Sequence, residues 1–144
     1  MKRSLITILS LVVMSLMVSA TSAYAQSYAK ANVPFAFNVG PKRLPAGLYQ
    51  IKITGRASDA IMIRNIETGE SALSVARYEA PRSTEGKLVF NHVGSEYFLS
   101  QVWRESGSQG RSIPASKRER QLTKELQLAK DSKGGHEEVM LALK

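Results

Sequence analysis

Apolar and polar residues alternate along this chain from Asn32 onward. That spacing sends neighbouring side chains to opposite faces of a strand. Val33, Phe35, Phe37 and Val39 alternate with Pro34, Ala36 and Asn38 and predict the first strand. Pro34 has no amide to donate, which suits a sheet edge or a strand start. Gly40-Pro41-Lys42-Arg43 breaks the run, and Leu44-Pro45-Ala46-Gly47 leads into a second run at Tyr49, Ile51 and Ile53. These two runs are expected to pair antiparallel across a long connection. Runs at 60–64 and 71–77 flank a segment holding Gly69, placed for the left-handed residue of a bulged hairpin turn. Runs at 88–93 and 96–103 flank Gly94-Ser95, a two-residue connection that needs glycine's access to positive φ. In this last pair both faces are apolar: Leu88 and Phe90 alternate with Val89, and Tyr97, Leu99 and Trp103 with Phe98 and Val102. Such strands are central, or covered on the outside by another element.

A covering element follows. Ser116 precedes Glu119 by three residues, the capping-box spacing that satisfies the free amides of a helix start. A helix is predicted over about 117–130, with Leu122, Leu126 and Ala129 on one stripe, Lys130 near its end and Gly134-Gly135 beyond it. Residues 138–143 read as a closing strand. The pattern therefore predicts a mainly β fold, a small antiparallel β-sandwich or partly open barrel of six to seven strands with one C-terminal helix.

The amino terminus departs from this pattern. Lys2 and Arg3 precede an uncharged, apolar stretch at 5–18, and the chain then turns small and polar up to Ala23-Tyr24-Ala25. This is the organisation of a secretory signal peptide over residues 1–25, cleaved between Ala25 and Gln26. The competing reading is an uncleaved anchor, but as a helix residues 5–18 reach only about 21 Å, against roughly 30 Å of hydrocarbon. A lipid-modified amino terminus would need a cysteine, and the chain has none. The expectation is an exported protein, periplasmic or extracellular, with one β-rich domain over 26–144 and no membrane span once the signal is removed. Without cysteines no disulfide holds the fold, although that compartment permits one. A core must hold it, and a domain of this size can bury one.

Export changes the meaning of the formal net charge of +8. In the cytoplasm it would raise the question of nucleic acid; outside it, nucleic acid is not an expected partner. The anionic candidates become envelope polymers, phospholipid or lipopolysaccharide headgroups and acidic polysaccharides. The plainer reading is that positive charge keeps a small secreted domain soluble. His92 and His136 are the two histidines and do not stand at metal-ligand spacing, so no metal site is expected. No serine elbow, facing carboxylate pair or phosphate-cradling glycine loop can be assigned, so neither catalytic residues nor a cofactor are expected.

Three features invite a binding reading. Lys117, Arg118 and Arg120 form a basic cluster that could dock an anion, although Glu119 interrupts it and first helical turns often carry solvated charge. Tyr97 and Trp103, with Phe98, could form a stacking platform, although aromatics at strand spacing usually serve a core. Arg104 opens a polar, glycine-containing loop up to Arg111 that could form a binding lip. Function is thus expected to be a non-catalytic binding or structural role in the cell envelope. Its partner would be an anionic envelope polymer, or another envelope protein adding to an open sheet edge, and the oligomeric state is left open. The alternative is a small secreted enzyme with a site near the 88–104 hairpin, built from His92, Glu96 and Arg104.

The segments VPFAFNVG (33–40), LPAGLYQI (44–51), LVFNHVGSEYFLSQVW (88–103) and SKRERQL (116–122), in this order and spacing, resemble a family of small exported bacterial β-rich proteins of uncharacterised function. The resemblance covers most of residues 31–130. It implies a secreted β-rich domain and carries over no catalytic residue or ligand.

Overall fold

The computed structural model describes residues 28–54, 60–80, 85–104, 110–129 and 137–143. The cleavage residues Ala23, Ala25 and Gln26 and the loop residues 105–109 lie outside these, as does the segment 130–136 with its paired glycines.

The period-two segments become strands β1 (Ala29–Val33), β2 (Phe37–Val39), β3 (Lys42–Leu44), β4 (Gly47–Thr54), β5 (Ala60–Asn65), β6 (Ser71–Val75), β7 (Arg77–Glu79), β8 (Lys87–Val93), β9 (Glu96–Trp103), β10 (Gly110–Ser112) and β11 (Glu137–Ala142). One helix, α1 (Lys117–Ala129), lies between β10 and β11. The fold is mainly β. It differs from the expected six to seven strands because β2, β3, β7 and β10 are three residues long, too short to display a period.

The expected first strand is two strands. β1 begins earlier, at Ala29, and Pro34-Phe35-Ala36 separates it from β2. Only β1 pairs antiparallel with β4, Ala31 opposite Tyr49. β2 turns back through Gly40-Pro41 onto β3 and lies parallel to β9, Phe37 opposite Tyr97. Pro34 thus falls just past the end of an edge strand, where no ladder bond is lost.

The first sheet has the order β1-β4-β5-β6, antiparallel throughout. The second runs β11-β8-β9-β10-β7, with β2 and β3 added beside β9. The β8–β9 hairpin turns through Gly94-Ser95, and Gly94 has φ 65° as that turn requires. Its ladder slips between Val89 and Phe90, leaving Ser100 as an extra residue. Ser100 Oγ donates to the Val89 carbonyl at 3.0 Å and the Ser100 carbonyl accepts the Ile113 amide at 2.7 Å, so the bulge is satisfied. β11 closes the second sheet against β8, Val139 opposite Phe90 and Leu141 opposite Leu88.

The sheets face each other across one core. Phe37 stands between them, its ring edge-on to Tyr49 of β4 (5.1 Å) and to Phe90 of β8 (5.3 Å). Around it lie Val33, Leu44, Ile61, Ile63, Leu99 and Val102. β2 and β3 approach β6 along one border and β1 approaches β11 along the other, so the sheets curl toward a partly open barrel. Among the described residues no helix is long and apolar enough to cross a membrane.

Candidate functional site

Cross-strand partners share a face, so Asn91, Val93, Glu96 and Phe98 all stand on the outside of the β8–β9 hairpin, opposite the core face of Phe90 and Leu99. α1 lies on this outer face. Ser116 Oγ accepts the Glu119 amide at 3.1 Å and the Glu119 carboxylate accepts the Ser116 amide at 3.3 Å, the reciprocal capping box that the spacing predicts. The other Glu119 oxygen accepts from Asn91 Nδ2 at 2.8 Å, tying the cap to β8. Leu122 and Leu126 reach the hairpin turn, where a β-carbon on Gly94 would stand 3.8 and 3.4 Å from them. Val89, Val93 and Phe98 are buried although they lie outside the main core cluster.

A polar clamp borders this packing. Glu96 accepts from Arg118 Nη2 at 2.8 Å and from Asn38 Nδ2 at 3.1 Å, joining α1, β9 and β2. The Arg118 bond holds the Glu96 carboxyl below its ordinary range.

The sequence-predicted binding residues are thereby distributed. Tyr97 stacks on Phe35 (4.0 Å) and on His92 (4.4 Å). Two parallel rings at such distances cannot share one face, so both faces of Tyr97 are occupied. Trp103 is 4% exposed, donates through Nε1 to Gln101 at 2.9 Å, and lies so close to Gly110 that a β-carbon there would come within 2.5 Å of the indole. Phe98 faces away from Tyr97, buried on the face where α1 packs. No stacking platform is assembled. Arg104 is half-buried just past β9; Lys117 and Arg120 are exposed on the first turn of α1, while Arg118 is engaged by Glu96. His92 stands with Tyr97 on the core face and Glu96 on the outer one, with Arg104 beyond the far end of β9. The structure does not bring these three together.

The LPAG-x-Tyr phrase is a folding device. The Tyr49 hydroxyl donates to the Pro45 carbonyl at 2.5 Å, and burial raises the phenol's pKa. Beside it, the buried Asn65 accepts the amides of Glu67 and Thr68 at 2.9 and 3.0 Å and so shapes the β5–β6 turn.

The outer face of the four-stranded sheet is the part that sequence reasoning missed. Its strands contain Lys30, Lys52 and Arg64 and no aspartate or glutamate. Alternation against the buried Ala31, Ile51 and Ile63 puts all three cations outside. Tyr28, Leu48, Ile66, Leu73 and Val75, five of the exposed large apolar residues among those described, belong to the same face. Lys52 Nζ stands 5.6 Å from the centre of the Tyr28 ring. β6 turns its smaller apolar residues inward: Ala72 (5% exposed) and, just beyond the strand, Ala76 (1%) point into the core, while Leu73 (67%) and Val75 (71%) point out. The ladder fixes this, with Ala72 opposite the buried Ile63 and Leu73 opposite Met62. The available signal was four strands without a single acid, one of them carrying alanines where a core would take leucine.

A half-open groove of ≈ 350 Å³ borders this face at the seam between edge strands β1 and β11, lined by Lys30, Ala31, Asn32, Leu48, Leu141 and Ala142. Compared with known protein families, with curated protein sequences and with solved structures, the chain matches none.

Proposed function

We propose that this protein is an exported, non-catalytic binding protein of the cell envelope, which holds an anionic partner against the outer face of its four-stranded sheet. The orientation of β6 carries this reading. A one-residue slip of that strand would send Leu73 and Val75 into the core and the alanines to solvent. Burying one such side chain stabilises a fold by about 1.5–3 kcal/mol. That gain is not taken here, and a surface that keeps large apolar groups in water is the mark of an interaction site. Lys30, Lys52 and Arg64, on strands that contain no aspartate or glutamate, give that site its sign.

The test is capture of the protein, exported by an expressing bacterium, on peptidoglycan, lipopolysaccharide and whole-envelope extract over a range of salt. Retention should fade steeply as salt rises, since a Debye length of about 10 Å at 0.1 M shortens with ionic strength. It should also be lost in the Leu73→Ser/Val75→Ser and Lys52→Gln/Arg64→Gln variants. Retention that both variants leave intact removes the sheet face from the reading.

A further inference from the structure

Resting on that reading, we infer that the partner of the sheet face is the surface of an anionic phospholipid bilayer. The face sets two chemistries side by side. Along β4, β5 and β6 the row Lys52, Met62, Leu73 runs cation to apolar, and the neighbouring row Gln50, Arg64, Ser71 sets a second cation beside it. A polysaccharide would meet the cations of this face but leave Leu73 and Val75 in water. A second copy of this chain would bring cation against cation. An acidic protein would need pockets shaped to each protruding side chain. A bilayer supplies phosphate and hydrocarbon together, in a plane, without shape complementarity. The two most exposed apolar groups of the sheet project from β6, so they can enter the acyl boundary while the cations stay among headgroups. Tyr28, with the Lys52 ammonium above its ring, has the amphipathic character of a headgroup-level anchor at the opposite border of the sheet.

Neither element suffices alone. Few cations hold a protein on a bilayer only weakly at physiological salt, and a few aliphatic side chains do no better; combined they give stable, reversible attachment.

The experiment is co-sedimentation of the exported protein with vesicles of phosphatidylcholine alone and of phosphatidylcholine mixed with phosphatidylglycerol, beside capture on envelope extract. Binding is expected only to the mixed vesicles. Leu73→Ser/Val75→Ser and Lys52→Gln/Arg64→Gln should each lower the partition coefficient by about tenfold or more, whereas Leu128→Ser, at an exposed leucine of α1, should leave it unchanged. Mixed-vesicle binding that the Leu73→Ser/Val75→Ser protein retains in full means attraction by net charge and overturns the inference. Absence of vesicle binding, with capture from extract still dependent on the sheet face, also overturns it while the binding reading stands. Absence of both overturns the two together. Thermal melts of each variant establish that it is folded.

Discussion

The outer faces of the two sheets carry comparable apolar side chains, and α1 packs on part of only one of them, that of the seven-stranded sheet, where Met140 of β11 stays exposed. On the seven-stranded sheet Val89, Val93 and Phe98 are buried, and α1 packs on the same face at Asn91 and Gly94. On the four-stranded sheet Leu73 and Val75 meet solvent. The polar residues between the apolar ones account for the difference. Beside Phe98 stand Asn91 and Glu96, and α1 brings Glu119 and Arg118 to meet them. Beside Leu73 stand Lys52 and Arg64, and nothing in those four strands is acidic. The covered face is matched within the chain; on the binding reading proposed above, the bare face is matched by something anionic outside it.

Substitutions can break this contrast. If α1 makes the covered face a true second core, Phe98→Ala should cost about 3–5 kcal/mol in urea unfolding, as much as Phe90→Ala in the main core. A loss below about 1 kcal/mol, the level of a surface change, would show that the helix shields nothing. Gly110→Ala should cost about 1–3 kcal/mol, because the new methyl meets the Trp103 indole ring rather than a flexible side-chain end. Ser116→Ala should remove about 1 kcal/mol and speed amide exchange in the first turn of α1.

The clamp adds a dependence on pH. The Glu96 carboxyl sits below its ordinary value of 4.5 in the folded protein, so as pH falls the unfolded chain takes up the proton first. Its contribution is full above about 4.5 and is lost as pH drops through the lower, folded value. The Tm advantage of the native protein over Glu96→Gln should therefore shrink on acidification below that point, and an advantage that stays constant would separate Glu96 from the stability of the helix. The smallest effect belongs to the bare face: Leu73→Ser and Val75→Ser should each change stability by no more than about 0.5 kcal/mol. A large loss from either would mean that these side chains are buried, not presented.

Much of the covered side was legible in the sequence, because its signals are local. Gly94-Ser95 fixes a hairpin, Ser116 and Glu119 fix a helix start, and two-sided strands ask for a cover. The split at Pro34-Phe35-Ala36 was hidden because Phe35 keeps the alternating rhythm while the chain leaves one sheet for the other. The aromatic run in β9 read equally well as platform or core, and only the positions of Phe35, His92 and Gly110 decide it. The bare face was the least legible. Which side of β6 points inward depends on its pairing with β5, and alternation in Ser-Ala-Leu-Ser-Val-Ala gives both sides an apolar set. Reading by size alone would have buried Leu73 and Val75.

Whether the bare face is the working surface is tested most directly by carbene footprinting of the protein, free and with envelope extract. The expected result is loss of labelling at Leu48, Met62, Leu73 and Val75, with Lys117, Arg120 and Leu128 of α1 labelled as before. Protection confined to the first turn of α1, with the sheet face labelled equally in both states, would contradict it.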